Sequence, residues 1–339
     1  MDSQVVERRG RSVRTVSARL LAPFGARAVW LMWGALVALV VLYAAHQDLG
    51  LGGTGTDDFF ETWVSDALLW ATSVVCLVGA LRQRTGRTAW LLVTLGLTSW
   101  AIGNTIWSIR FGSSVAGPLT SISDIFWLAW YPLVLAALAL LVRDRVHTFE
   151  LHRWIDGVAV MLLVMIPWVA LFLAPVYDHS HATALADAVD FAYPLGDAIV
   201  FGSTLGVFAM TGWRPPGKMW LLLGAGLAAM GIADSIYAVQ ALEGAKHVST
   251  TYGSFWSAGA LLVAFACWEP HPGRIKPREL YGWSAVALAL IAQAIAAAIQ
   301  IFGFFHEIPR SERIITVVVL VIAMVQISVT RPRRPESPP

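Results

Sequence analysis

Long apolar runs separated by short, arginine-rich loops constrain this chain more than any other feature. A helix needs about 20 mostly apolar residues to cross the hydrocarbon of a bilayer. Helices and closed barrels alone satisfy every backbone amide there. On that rule the sequence predicts spans near residues 28–45, 63–81, 88–109, 125–142, 154–174, 191–212, 219–241, 254–268, 282–305 and 314–330. The expected fold class is an all-α polytopic membrane protein of about ten transmembrane helices. Composition agrees, with 57% hydrophobic and only 14% charged residues, whereas a soluble domain carries about a quarter charged.

The placement of positive charge orients these spans. With the N-terminus in the cytoplasm, all but four of the 24 lysines and arginines fall on the inner side. The four exceptions are Arg110, Lys246, Arg310 and Arg313. Cytoplasmic loops of membrane proteins carry this excess, so a plasma-membrane location with both termini cytoplasmic is expected. Trp90, Trp154, Trp220 and Trp283 mark inner ends, and Trp63, Trp107 and Trp256 outer ones, as amphipathic rings prefer. Residues 1–27 form a basic cytoplasmic segment with no cleavage motif after them, and 331–339 a Pro-rich tail expected to be disordered. The basic residues follow the membrane boundary and form no stripe on a folded domain, so membrane lipids are expected partners and nucleic acid is not.

The chain repeats itself. WLLVTLGLTSWAIGNTIWSI (90–109) aligns with WLLLGAGLAAMGIADSIYAV (220–239), so that Trp90 meets Trp220, Gly96 meets Gly226, Asn104 meets Asp234 and Trp107 meets Tyr237. The offset continues ungapped through the next loop, where Asp124-Ile-Phe meets Ser254-Phe-Trp; one helix earlier, Asp66 meets Asp197 with one inserted residue. A duplicated four-helix unit is expected. Its first copy is spans 1–4 (28–142), its second spans 5–8 (154–268), with spans 9 and 10 (282–330) appended. An even number of helices gives both copies one orientation, hence a pseudo-twofold axis along the membrane normal.

The polar residues within these spans are few and gathered. An ionisable group at mid-helix costs about 2.5–3.5 kcal/mol on insertion scales, so it faces a partner or a wet cavity. Asn104 and Asp234 sit about two-thirds of the way along outward-running helices, and Asp66, Asp124, Asp190 and Asp197 at the outer ends of spans 2, 4 and 6. Helical spacing puts aromatic rings beside them. Trp100, Asn104 and Trp107 share a face, as do Asp124, Trp127 and Tyr131, and Asp190, Tyr193 and Asp197; Tyr237 follows Asp234 by three. These twelve residues predict an outward-facing pocket for an unidentified extracytoplasmic small ligand, acidic at its rim and aromatic within. The plainer alternative is that they cross-link helices, at about 0.6 kcal/mol per hydrogen bond. Pro132 and Pro194, each after a tyrosine, would free a carbonyl one turn earlier and kink their helices; the plainer expectation is that a membrane helix simply tolerates them.

Nothing in the sequence assigns a reaction. GLGGTG (50–55) spells a dinucleotide-type pattern but lies in an outer loop, with no strand before it or helix after it. Two histidines in Asp178-His179-Ser180-His181 read as a solvated loop, and Cys76 and Cys267, both in apolar runs, as packed thiols. Without a nucleophile–base pair or metal cage, no catalytic residue, metal or cofactor is expected, and the chain reads as a non-enzyme.

The ordered features TSISDIFWLAWYP (120–132), DFAYPLGD (190–197), GIADSIYAV (231–239) and the helix carrying Trp256 resemble a known arrangement. They are similar to the multi-span N-terminal membrane region of actinobacterial cyclic-di-GMP signalling proteins, which precedes GGDEF and often EAL domains. The likeness runs over residues 30–330. It implies a sensory input with a ligand of unknown identity. Neither a GGDEF nor an EAL sequence occurs here, so cyclase and phosphodiesterase activities do not carry over. The resulting expectation is a signal-input module that acts through spans 9 and 10 on a cytoplasmic signalling protein. The rival expectation is a small-molecule transporter built on a parallel repeat. Acids clustered outside, with few polar residues in the inner half, favour sensing.

Overall fold

In a computed structural model the chain is described over residues 26–112, 120–145, 183–210, 217–242 and 253–271, with isolated positions between 158 and 161 and between 294 and 324. The predicted spans 5, 9 and 10, the terminal segments and the Asp178–His181 run lie outside these residues, apart from those isolated positions. The described residues are helical and contain no strand. The helices are α1 (Ala26–Leu49), α2 (Ser65–Arg82), α3 (Arg87–Phe111), α4 (Ile122–Leu128), α5 (Trp130–Arg145), α6 (Ala184–Met210), α7 (Lys218–Leu242) and α8 (Gly253–Trp268). A π-helical turn, Phe59–Val64, leads directly into α2. Counting that turn with α2 and joining α4 to α5, six of these segments are long and apolar enough to cross a membrane; α8 is a shorter apolar helix.

The neighbour order closes on itself. α2 packs on α3, α3 on α4 and α5, and α5 on α6; α6 packs on α7, α7 on α8, and α8 returns to α2, while α1 lies against α8 and α2. The centre is apolar and dense. Trp90, Trp220, Leu68, Leu97, Leu141, Met219, Leu223, Val93 and Val134 are the largest side chains sealed within it. The opposite faces are apolar as well. Trp30 and Leu31 are exposed at 77% and 74%, and Val74, Leu95 and Leu221 at 54–55%. A helix apolar all round has no face suited to water, so these outward side chains suit lipid, consistent with a membrane protein.

Two local features set the helix ends that matter for the site. The predicted span 4 is two helices meeting at Ala129. Pro132 lies in the first turn of α5, and its ring clashes with the carbonyl four residues back, that of Leu128, where α4 ends. Ser99 Oγ donates to the nearby Phe126 carbonyl at 2.8 Å, serving one of the carbonyls at this junction. Pro194, in contrast, sits inside an unbroken α6. That helix begins at Ala184, seven residues before the predicted start of span 6, so Asp190 and Tyr193 lie within the helix.

The seam between α2 and α8 closes the circuit. A Cβ added at Gly79 would lie 2.7 Å from the Trp268 ring, so only hydrogen fits there. Trp268 Nε1 donates to the Val75 carbonyl at 2.9 Å, and Gln83 Nε2 donates to the carbonyls of Cys267 and Glu269. Cys76 and Cys267 face each other across this seam as free, buried thiols.

Candidate functional site

The polar side chains singled out by the sequence meet at one end of the bundle, in two groups. The first is built on α3 and α4. Trp127 Nε1 donates to Asn104 Oδ1 at 2.9 Å. Its ring lies directly over Gly103, where a Cβ would be 2.7 Å from two ring atoms. Trp107 packs on Trp127 with ring centroids 5.6 Å apart, and Trp100 stacks on Trp130 at 6.2 Å. The amide is therefore a fixed acceptor among indoles.

The second group joins α4 and α5 to α6 and α7. Asp124 closes a capping box on α4. Its Oδ2 accepts from the Ser121 backbone N–H at 2.6 Å, and Ser121 Oγ accepts from the Ser123 N–H at 3.1 Å, satisfying amides that a helix start leaves unpaired. The other oxygen of Asp124 accepts the Tyr193 hydroxyl at 2.7 Å. Six residues beyond Ile125, Tyr131 donates its hydroxyl to Asp197 Oδ1 at 3.0 Å, and the same hydroxyl lies beside the Asp234 carboxylate. The Tyr131 ring rests flat on α6, with ring atoms 2.6–2.7 Å from a Cβ at Gly196. Asp234 Oδ1 accepts from Trp256 Nε1 of α8 at 2.7 Å, and Tyr237 meets Trp256 edge-on at 5.8 Å. Asp197 packs on Gly231 and is buried, with Oδ2 left without a hydrogen-bond partner among the described residues.

Ten of the twelve predicted residues thus fall into these two groups through direct contacts. Asp190 joins by proximity, near Asp124 and Tyr237. Asp66 stands apart. It is buried where α2 meets α3 and faces Thr105 and Ser108, with Oδ1 lacking a hydrogen-bond partner among the described residues. Sequence reasoning left out Trp256 and Trp130, which complete the two groups. Trp256 follows Asp234 by 22 residues and Trp127 follows Asn104 by 23. The ungapped alignment set Phe126, not Trp127, against Trp256. A one-residue gap in that loop restores the pairing and also sets Trp130 against Gly259, which occupy the space over Gly96 and Gly226 respectively.

As it stands the cluster is largely self-satisfied, with Trp127, Trp256, Tyr131 and Tyr193 each donating to a carboxylate or amide oxygen. A cleft of about 490 Å³ opens beside it, lined by residues of α3, α4 and α6 and by Thr120 and Ser121; of the predicted residues only Asp124 reaches it. Among the described residues no group of three or more histidine, cysteine or acidic side chains is disposed to hold a metal ion. Chemically the arrangement can bind, orient and exchange hydrogen bonds. No protein-family model matches the chain, and no curated protein or solved structure matches it either.

Proposed function

We propose that this chain is an integral membrane signal-input module of the plasma membrane, with both termini cytoplasmic and an outward-facing acidic–aromatic cluster as its ligand-sensitive part. One observation carries the reading. The hydrogen bonds Tyr193–Asp124 and Tyr131–Asp197 tie α4 and α5 to α6 at one end of the bundle, between residues 69 and 66 positions apart. Small polar ligands exchange readily with bonds of this kind, and a ligand that favours one arrangement shifts the whole bundle toward it.

The module is read as a duplicated four-helix unit with two further helices, ten spans in all. In support, Trp127–Asn104 and Trp256–Asp234 are the same indole-to-carbonyl-oxygen bond in two copies. Gly96 and Gly226 supply the close approach beneath each. The α5–α6 and α8–α2 contacts are then the two equivalent junctions between copies. The ligand would be cationic or polyhydroxylated, held by Asp124, Asp190, Asp197 and Asp234 with Tyr131, Tyr193 and Tyr237. Asp66, Trp100, Asn104, Trp107 and Trp127 would line the equivalent half. The signal would leave through spans 9 and 10 to a cytoplasmic signalling protein, as the likeness to cyclic-di-GMP input regions suggests. Transport fits less well, because the tryptophans Trp90 and Trp220, with Leu141 and Leu223, fill the interior elsewhere with fully buried apolar side chains.

The test is a thermal-shift screen of the purified full-length chain against amines, sugars and lipid headgroups, run with wild type, Asp234→Asn and Tyr193→Phe. A compound that raises the melting point of wild type, and raises it less in both variants, is the expected result. If no compound separates wild type from either variant, the polar residues serve only to join helices and the sensory reading falls.

A further inference from the structure

The cleft beside Asp124 has a composition of its own. Arg110, at the end of α3, and Asp124 stand on its wall, while Ile125, Leu128, Leu185 and Val189 form its apolar trough. Ile125 and Leu185 are 68% and 67% exposed, so the trough faces outward from the bundle, where the surrounding helix faces are lipid-suited. Arg110 is exposed and makes no ion pair or hydrogen bond among the described residues. By sequence it is also one of the few basic residues on the outer side. Asp124 uses one lone pair on each oxygen, toward Ser121 N–H and Tyr193 hydroxyl, and each oxygen keeps another.

A guanidinium, a carboxylate and an apolar trough in one cleft describe the complement of a zwitterionic amphiphile. We infer that the cleft is a binding site for a phospholipid of the outer leaflet bearing a phosphate and a primary ammonium, a phosphoethanolamine lipid. Arg110 binds the phosphate, for which a planar guanidinium is well suited. Asp124 accepts from the ammonium, and one acyl chain lies along Ile125, Leu128, Leu185 and Val189. Charge decides against an anionic headgroup, since Asp190 lies near Asp124 and would repel it. The site rests on the cleft and on the membrane orientation proposed above, and is independent of the signalling reading. It nevertheless reaches the Asp124–Tyr193 bond, so lipid occupancy bears on that contact.

Native mass spectrometry of the delipidated full-length chain tests the inference. The probes are dioleoyl phosphatidylethanolamine and dioleoyl phosphatidylglycerol, offered separately at equal concentration. Wild type should retain one phosphatidylethanolamine saturably and at least about tenfold more tightly than phosphatidylglycerol, the ratio expected for one charge-assisted hydrogen bond. Arg110→Gln, at an exposed position, should fold normally and bind both lipids more weakly. Asp124→Asn keeps an oxygen for the Ser121 cap and should shrink the preference between the two lipids without abolishing binding. Leu185→Trp, which fills the trough, should reduce retention of both. Equal retention of the two lipids by wild type, non-saturable binding, or retention unchanged in Arg110→Gln would each overturn the assignment.

Discussion

Gly226→Ala isolates the contact on which the α7–α8 pair depends. Gly226 and Gly259 face each other so closely that a Cβ at 226 would lie 2.6 Å from the Gly259 carbonyl oxygen, 2.8 Å from Val263 Cγ2 and 3.0 Å from the Val263 backbone nitrogen. Ordinary contact begins at 3.4 Å, so the methyl arrives about 0.8 Å too close. Two of the three obstacles are backbone, and no rotamer change relieves them. The helices must separate instead, and a radial gap of 0.5–1 Å forfeits about a quarter to a half of each dispersion contact along the seam. In lipid, where such packing drives helix association, that loss has no hydrophobic substitute. Overpacking costs about 1–3 kcal/mol, and alanine returns at most about 1 kcal/mol of helix propensity. A net loss of about 1–2 kcal/mol is expected. Gly34→Ala on α1 is the control, because nothing lies within 4 Å of its added methyl; it should be neutral or slightly stabilising. Reversible unfolding in mixed micelles, followed by tryptophan fluorescence, measures both. Gly226→Ala combined with Gly259→Ala should cost less than the sum of the two, since the first substitution has already opened the seam. If Gly226→Ala behaves like Gly34→Ala, the close approach of α7 and α8 is wrong.

Other outcomes follow from the site. Asp234→Asn keeps an acceptor for Trp256 Nε1, as Asn104 does for Trp127, and should change stability by less than about 1 kcal/mol. Asp234→Leu strands that N–H and should cost about 1–3 kcal/mol; equal melting points for the two variants would discount the bond. Tyr131→Phe and Tyr193→Phe should each lose about 0.5–1.5 kcal/mol, and a double-mutant cycle with Asp197→Asn should couple to Tyr131 and not to Tyr193. Cys76 and Cys267, buried within the seam, should resist maleimide until the protein unfolds; rapid labelling of the folded chain would place them elsewhere. Single cysteines at Ser113 or Ser249 should react with impermeant thiol reagents in intact cells and one at Thr85 should not. The reverse pattern would invert the topology.

Among the described residues, the sequence by itself determined which long stretches are helices, the break within span 4 apart, and which end of them carries the polar residues. Lipid removes the choice: a run such as 88–109 must close its own backbone hydrogen bonds, so apolar length alone identifies a span, and α3 spans Arg87–Phe111 as that length requires. Asn104 and the aspartates were visible for the same reason, because polar groups are costly in such runs. What each of them bonds to was decided only in the tertiary structure. Helical spacing grouped Asp124 with Trp127 and Tyr131, and Asp190 with Tyr193 and Asp197. The hydrogen bonds run instead from one helix to another, Tyr193 to Asp124 and Tyr131 to Asp197. Such pairings depend on how far each helix is rotated and how closely it approaches its neighbour. Here glycines with no special local pattern set that approach: Gly103 under Trp127, Gly196 under Tyr131 and Gly226 against Gly259. A periodicity describes the faces of one helix, whereas a pocket is made by the distance between two.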